Sequence, residues 1–164
     1  MAVGGAGLDN LTVVIPYRNA PKSLSRLLHT LPDAGGKYDV IVVDDQSETP
    51  PPTREKVRYL RTAQRGYFSG AVNAGIRACD TDVLVLNQDV WLEGAQWLDA
   101  VADWQAVGYA IAGDGVMGHP AWPNGYVQGT FMFIRRAALD AVGLLDEKHW
   151  PLWGATAEWQ TRAC

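Results

Sequence analysis

The stretch Asp82-Val83-Leu84-Val85-Leu86-Asn87-Gln88-Asp89 decides the fold: an unbroken apolar run meets a polar triplet that ends in an acid. A short apolar run of this kind predicts a strand buried on both faces, as in parallel α/β sheets. Val40-Ile41-Val42-Val43 repeats the pattern and ends in Asp44-Asp45. Ligands of open α/β sheets collect outside the carboxyl ends of the strands. Two strands that bring acids to one edge therefore predict a nucleotide–metal site. Asp89 is expected to hold a hard divalent cation, and Asn87 to face a ribose hydroxyl or the water shell of the ion; the alternative is a strand end whose polar residues cap the following turn. Like charges held close repel, and Mg²⁺ or Mn²⁺ would relieve that repulsion.

Working outward, Leu11-Thr12-Val13-Val14-Ile15 predicts a first strand that Pro16 ends, since proline cannot donate to a central ladder. Pro21 then opens a helix with Leu24, Leu27, Leu28 and Leu31 at helical spacing. A weak strand at residues 57–60, helices at 71–78, 94–106 and 137–142, and strands at 109–112 and 130–134 complete the pattern. That order predicts a mostly parallel central sheet with helices on both faces. Residues 113–129, rich in Gly and Pro, read as a long loop or a lid. One domain is expected over residues 11–164, behind a flexible arm at residues 1–10.

With 164 residues the chain can bury a substantial core. Its net charge of −4 argues against a nucleic-acid backbone as partner, because neutralising phosphates takes clustered Lys and Arg. No stretch is long and apolar enough to cross a bilayer; peripheral association with a membrane stays open. Cys79 and Cys164 are too few for a disulfide framework and favour a reducing, cytoplasmic setting. His29, His119 and His149 lack the spacing of a zinc site. Seven tryptophans are unusual: exposed indole faces suit the apolar faces of sugar rings, while core packing is an equal alternative. The loop Arg65-Gly66-Tyr67-Phe68-Ser69-Gly70 is neither a Walker loop nor a dinucleotide turn. Gly70 at a helix start would still let backbone N–H groups approach an anion, and Arg65 adds charge, while a loop simply turning into a helix explains the glycines equally well.

Together these segments resemble the family 2 glycosyltransferases, inverting enzymes of GT-A (Rossmann-like) fold, and among them the rhamnosyltransferase-like members. Val14-Ile15-Pro16-Tyr17-Arg18-Asn19 looks like the family's first-strand signature, and Val42-Val43-Asp44-Asp45-Gln46-Ser47 like its second. Residues 66–75 are similar to the N-x-G-F-x-G-x-N-x-G loop, with Gln64 where Asn is common. Leu86-Asn87-Gln88-Asp89 corresponds to the variant D-x-D motif, and Gly143-Leu144-Leu145-Asp146-Glu147 to the G-x-x-D-E turn. The resemblance implies a donor pocket built from Pro16, Tyr17, Arg18, Asn19, Asp45, Arg65, Gly70, Asn73 and Asn87, with Asp45 reading the base. It implies Asp89 as the metal residue and Trp122, Trp150 and Trp153 on the acceptor side.

One departure bears on catalysis. Aligned on Arg162, the family's Glu-Asp pair falls on Ala155 and Thr156, which cannot accept a proton in the usual way. Glu158 and Asp146 are the candidate bases left. The chain also ends at Cys164, where family members usually continue; a truncated protein and a minimal acceptor side are both open. The expected activity is metal-dependent, inverting transfer of a sugar from a nucleoside-diphosphate sugar to a hydroxyl of a glycan, lipid-linked or protein acceptor, in polysaccharide or cell-wall synthesis. A nucleotide-sugar-binding domain without transfer is the alternative. A receiver-like phospho-accepting domain fits less well, because the acidic pair follows the second strand and Lys148 follows no apolar strand.

Overall fold

The computed structural model describes residues 8–32 and 37–164. Its centre is a six-stranded sheet built on β1 (Leu11–Tyr17), β2 (Tyr38–Asp44), β3 (Val57–Arg61) and β4 (Asp82–Leu86), joined by β5 (Ile111–Gly113) and β8 (Phe131–Ile134). The strand order is β3-β2-β1-β4-β8-β5. β1 to β4 run parallel, and β8 runs antiparallel to both neighbours. The expected mostly parallel α/β sheet is present.

Alternation along the strands splits the core in two. Val13, Ile15 and Tyr17 pack with Leu24, Leu27 and Leu28 of α1 (Pro21–Thr30) and with Trp97 and Val101 of α3 (Gln96–Val107). Val14, Ile41, Val83 and Val85 face the opposite layer. There they meet Val72 and Ile76 of α2 (Tyr67–Arg77), Leu139 of α4 (Arg136–Val142) and Trp159 of α5 (Ala155–Ala163). Helices therefore cover both faces. The approach of α2 to the sheet requires a glycine: a Cβ on Gly75 would lie 2.3 Å from Val14 Cγ1.

Parallel register sets the functional edge. Tyr17 pairs with Asp44 across β1 and β2, while β4 pairs with β1 only as far as Val14 opposite Val85. The last residues of β1, β2 and β4 thus leave the sheet side by side. Pro16 does not end β1, contrary to expectation. The Tyr17 carbonyl accepts the Asp45 N–H at 2.9 Å, so Tyr17 turns its polar groups to β2 and Pro16 turns to the β4 side. The β4 ladder has already ended there, and the missing proline N–H costs no bond.

Other differences are local. Residues 113–129 are not a loop: β6 (Val116–His119) and β7 (Trp122–Val127) form an antiparallel hairpin with a register shift between Met117 and His119. Helix α2 starts at Tyr67, four residues before the expected 71. Residues 1–7 of the expected arm lie outside the described residues. Residues 8–10 are tied down: Leu8 packs on the core, Asp9 bonds Gln105, and the Asn10 carbonyl accepts the Asp82 N–H at 3.0 Å.

Candidate functional site

The carboxyl edge of the sheet opens into a cleft of about 380 Å³. Pro16, Tyr17 and Arg18 come from the end of β1, Asp45 from the end of β2, and Asn87, Gln88 and Asp89 from the end of β4. Arg65 and Tyr67 enter from the start of α2, and Tyr126, Trp153, Ala155 and Thr156 close the opposite side. The acids predicted to meet at one edge are met there by the loops that complete a pocket.

Most polar groups on the β1–β2 side already have protein partners. Asp45 is buried, and its carboxylate accepts the N–H groups of Gly66 at 2.6 Å and Tyr67 at 2.9 Å and the Thr62 hydroxyl at 3.1 Å. It thereby satisfies donors that a helix start leaves without intrahelical partners. Tyr67 has φ of 57°, a left-handed backbone unusual for an aromatic residue, and the Asp45 bond holds it there. Asp44 accepts the Ser47 N–H at 2.9 Å and forms an ion pair with Arg61. The charges of Asp44 and Asp45 are thus met by Arg61 and by N–H groups at the start of α2.

Arg18 donates to the carbonyls of Asp45 and Gln46, each at 2.7 Å, and joins the two strand ends. Asn19 does not line the cleft; its Oδ1 accepts the N–H groups of Glu48 at 2.8 Å and Thr49 at 3.1 Å. The Tyr17 hydroxyl donates to the Thr49 carbonyl at 2.9 Å, and burial pushes its pKa up, with the Asp44 charge adding to the effect. Gln88, which the sequence reading passed over, accepts the Arg18 N–H at 2.8 Å and returns a bond to the Arg18 carbonyl at 3.3 Å. It ties the β4 end to β1 as an extra rung would.

Asp89 and Arg65 differ. Among the described residues, the Asp89 carboxylate has no hydrogen-bond or ion-pair partner, and it is exposed in the cleft. The Asn87 side chain is also without a described partner. Arg65 has no carboxylate partner among them either; its guanidinium lies over the Tyr67 ring at 4.2 Å. No group of three or more His, Cys, Asp or Glu side chains suited to a metal occurs among the described residues. A lone carboxylate beside an amide nonetheless fits Mg²⁺ or Mn²⁺ sites of the kind completed by phosphate oxygens and water.

Several expected site residues lie elsewhere. Gly70 sits one turn inside α2, where its N–H donates to the Gly66 carbonyl at 2.9 Å, so it cannot offer that group to an anion. Asn73 is fully buried: its amide donates to the Leu145 carbonyl at 2.9 Å and to Glu147 at 2.8 Å, and accepts the Leu145 N–H at 3.0 Å. It pins the 145–147 turn onto α2 and is absent from the cleft wall.

Neither candidate base reaches the cleft wall. Glu158 is held by Arg162, whose guanidinium also donates to the Val142 and Leu144 carbonyls. Asp146 accepts the N–H groups of Lys148 and His149 and meets His149 Nδ1 at 2.8 Å. The His149 backbone and side-chain hydrogen bonds hold the Asp146 carboxyl below the usual carboxylate range, the opposite of what a base needs. Ala155 and Thr156 do line the cleft, so the positions aligned with an acid pair face it without an acid.

Apart from Trp91, which is half exposed beneath the Arg26 guanidinium, the tryptophans divide between core and rim. Trp97 and Trp159 are core residues, and the Trp159 indole N–H donates to the Gly143 carbonyl at 2.7 Å. Trp153, 82% exposed, stands on the cleft rim, with Trp150 and Trp122 packed edge to face behind it at 6.2 Å.

Comparison with known proteins adds the family. The family model described as glycosyl transferase family 2 matches residues 12–156. No curated protein matches the sequence. Among solved structures, the mannosyltransferase PcManGT from Pyrobaculum calidifontis, in complex with GDP-Man and Mn²⁺, superposes with a TM-score of 0.74 at 15% identity over 94% of this chain and 51% of that one. S. aureus TarS 1-349 in complex with UDP-GlcNAc gives a TM-score of 0.67 at 17% identity, over 94% of this chain and 53% of that one. At these identities the likeness is one of fold, and the chain spans about half the length of the solved structures it matches.

Proposed function

Because the chain belongs to glycosyl transferase family 2, we propose that its cleft binds a nucleoside-diphosphate sugar and a divalent cation, for inverting transfer of the sugar to an acceptor hydroxyl. One observation carries this reading: among the charged groups on the cleft wall, Asp89 and Arg65 are left without a charged partner among the described residues, while Asp45 and Arg18 are spent on the backbone. GDP-Man with Mn²⁺ and UDP-GlcNAc in structures of like fold support the same ligand class.

Each residue has a defined task. Asp89 holds the cation, Mg²⁺ or Mn²⁺, and Asn87 faces the ribose or the water shell of the ion. When bound, the ion offsets charge on the departing diphosphate. Arg65 leaves the Tyr67 ring to meet a phosphate oxygen. Asp45 has accepted three protein hydrogen bonds of the roughly four a carboxylate can take. The remaining position can accept an N–H of the base, beside Pro16 and Tyr17. Holding donor and acceptor in line supplies a large share of the acceleration.

A second reading has its own support. Asp45 and Asp89 are the acids on the cleft wall, and Ala155 and Thr156 occupy the positions where an acid would take the hydroxyl proton. A domain that binds the donor and leaves transfer to another polypeptide fits that arrangement. The decisive experiment screens UDP-, GDP- and dTDP-sugars with Mn²⁺ for thermal stabilisation, then measures release of nucleoside diphosphate with and without glycan acceptors. Stabilisation with release that rises with acceptor establishes transfer, stabilisation without acceptor-dependent release establishes the binding domain, and no stabilisation by any donor contradicts both. The free thiols Cys79 and Cys164 suit a cytoplasmic setting. No helix among the described residues is long and apolar enough to cross a membrane.

A further inference from the structure

The rim of the cleft carries more exposed apolar surface than a sheet edge needs. Trp153 is 82% exposed, Leu152 46% and Trp150 38%, and all belong to the segment between Asp146 and α5. That segment is not loose. The Ser69 N–H donates to the Pro151 carbonyl at 3.0 Å, and the Ser69 hydroxyl donates to the Trp150 carbonyl, so the first turn of α2 anchors it twice.

Behind Trp153 the rings are set in order. Trp122 on β7 meets Tyr126 at 5.8 Å, Trp150 at 6.2 Å and His119 at 5.0 Å between ring centroids. Gly154 makes this assembly fit: its φ is 78°, and a Cβ there would lie 2.7 Å from the Trp150 ring and 3.4 Å from that of Trp122. Tyr126 and Trp153 line the same cleft as Asp89, so the aromatic track runs from the reaction centre outward over the hairpin.

Large exposed apolar patches mark binding surfaces. This one is aromatic at the rings nearest the cleft, and the Tyr126, Trp122 and Trp150 rings are packed on one another before any ligand arrives. Flat indole faces match the C–H faces of pyranose rings, and fixed rings lose little freedom on binding. Ring-to-ring steps of 5.8 and 6.2 Å join Tyr126 to Trp122 and Trp122 to Trp150, so the patch holds several adjacent aromatic surfaces. Continuity with the cleft places any bound chain where its end can present a hydroxyl.

We propose that the acceptor is a glycan chain of several sugars, held on Trp153 and the Trp122–Trp150 rings. The inference rests on the donor reading for its direction, since the chain must lead into the donor cleft. It does not require that reading for binding itself.

The test is saturation-transfer NMR and calorimetry of the protein with cello-, chito-, manno- and xylo-oligosaccharides of one to four rings, without nucleotide or metal. For at least one series, the tetrasaccharide should bind at least tenfold more tightly than its monosaccharide. Trp153→Ala should weaken that binding at least fivefold at an unchanged melting temperature, because the side chain is exposed. Absence of binding by every series, affinity indifferent to chain length, or an unaffected Trp153→Ala variant would overturn the proposal. Octyl and dodecyl glycosides form a separate arm: affinity that follows the alkyl chain and not the sugar count assigns the rings to a lipid and also overturns it. With no nucleotide or metal in the cell, failure here leaves donor binding untouched, and failure of donor binding leaves this result intact.

Discussion

The carboxylate of Asp45, at the end of β2, accepts the N–H of Tyr67 at 2.9 Å, so an acid delivered by a strand closes the start of α2. The same carboxylate fixes Gly66 and holds Tyr67 in a left-handed backbone. One side chain therefore shapes the cleft wall as well as lining it. Asp45→Ala would leave part-buried N–H groups at the α2 start without their acceptor and is expected to cost about 0.5–2 kcal/mol. Urea unfolding measures this, and a loss below about 0.5 kcal/mol would show that the α2 start does not depend on Asp45.

Asn73 is a fold residue on this account. Its buried amide joins α2 to the Leu145 backbone in both directions. Asn73→Ala should destabilise the protein by about 2–3 kcal/mol, since removing one partner leaves buried groups unsatisfied. Chemical denaturation reads the loss. A variant of wild-type stability that had lost nucleotide affinity would return Asn73 to the donor pocket.

Glu158 gives the contrary case. It is paired with Arg162 four residues on along α5 and is not among the residues that line the cleft. Glu158→Gln is expected to cost no more than about 0.5 kcal/mol, the usual worth of such a pair, and to leave nucleoside-diphosphate release unchanged. Loss of release in a folded variant would make Glu158 the base after all.

Asp146 carries a pH signature. Hydrogen bonds from His149 and Lys148 lower its pKa in the folded state, so the stabilisation is present above the unfolded carboxylate pKa. It is lost as pH falls through the lower, folded value. Melting curves from pH 7 to pH 3 should therefore show an acid-side decline that is shallower in Asp146→Asn. Identical slopes in both proteins would remove the 146–149 turn from acid stability.

Much of the frame was legible because buried parallel strands announce themselves. The runs at 40–43 and 83–86 are apolar on both faces, and each ends in the polar residues that line the cleft. The hairpin was hidden for the opposite reason. All of β6 is exposed, so no alternation marks it, and Gly118, Pro120, Pro123 and Gly125 read as punctuation. Helix α5 sets one large apolar residue, Trp159, at i+4 and i+3 from the small Ala155 and Thr156, too short and too weakly apolar a pattern to mark a helix. Its Glu158–Arg162 spacing was the available signal, and a helix pair is what it turned out to be.

At the cleft, residue types were legible and their commitments were not. Asp45, Asn73 and Arg18 each carry the chemistry of a ligand contact, yet bond to backbone brought near by tertiary packing. Spacing along the chain cannot show which polar group is already satisfied. Asp89 and Arg65 stand out only when the partners of the others are known.

The most direct measurement is calorimetry of UDP, GDP and dTDP binding with and without Mn²⁺, for the wild-type protein and for Asp89→Ala. Wild-type protein should bind at least one nucleotide at least tenfold more tightly with the metal than without it. Asp89→Ala should lose that enhancement while keeping its melting temperature, because an exposed side chain without described partners supports no packing. Metal-dependent affinity that survives intact in Asp89→Ala would contradict the account.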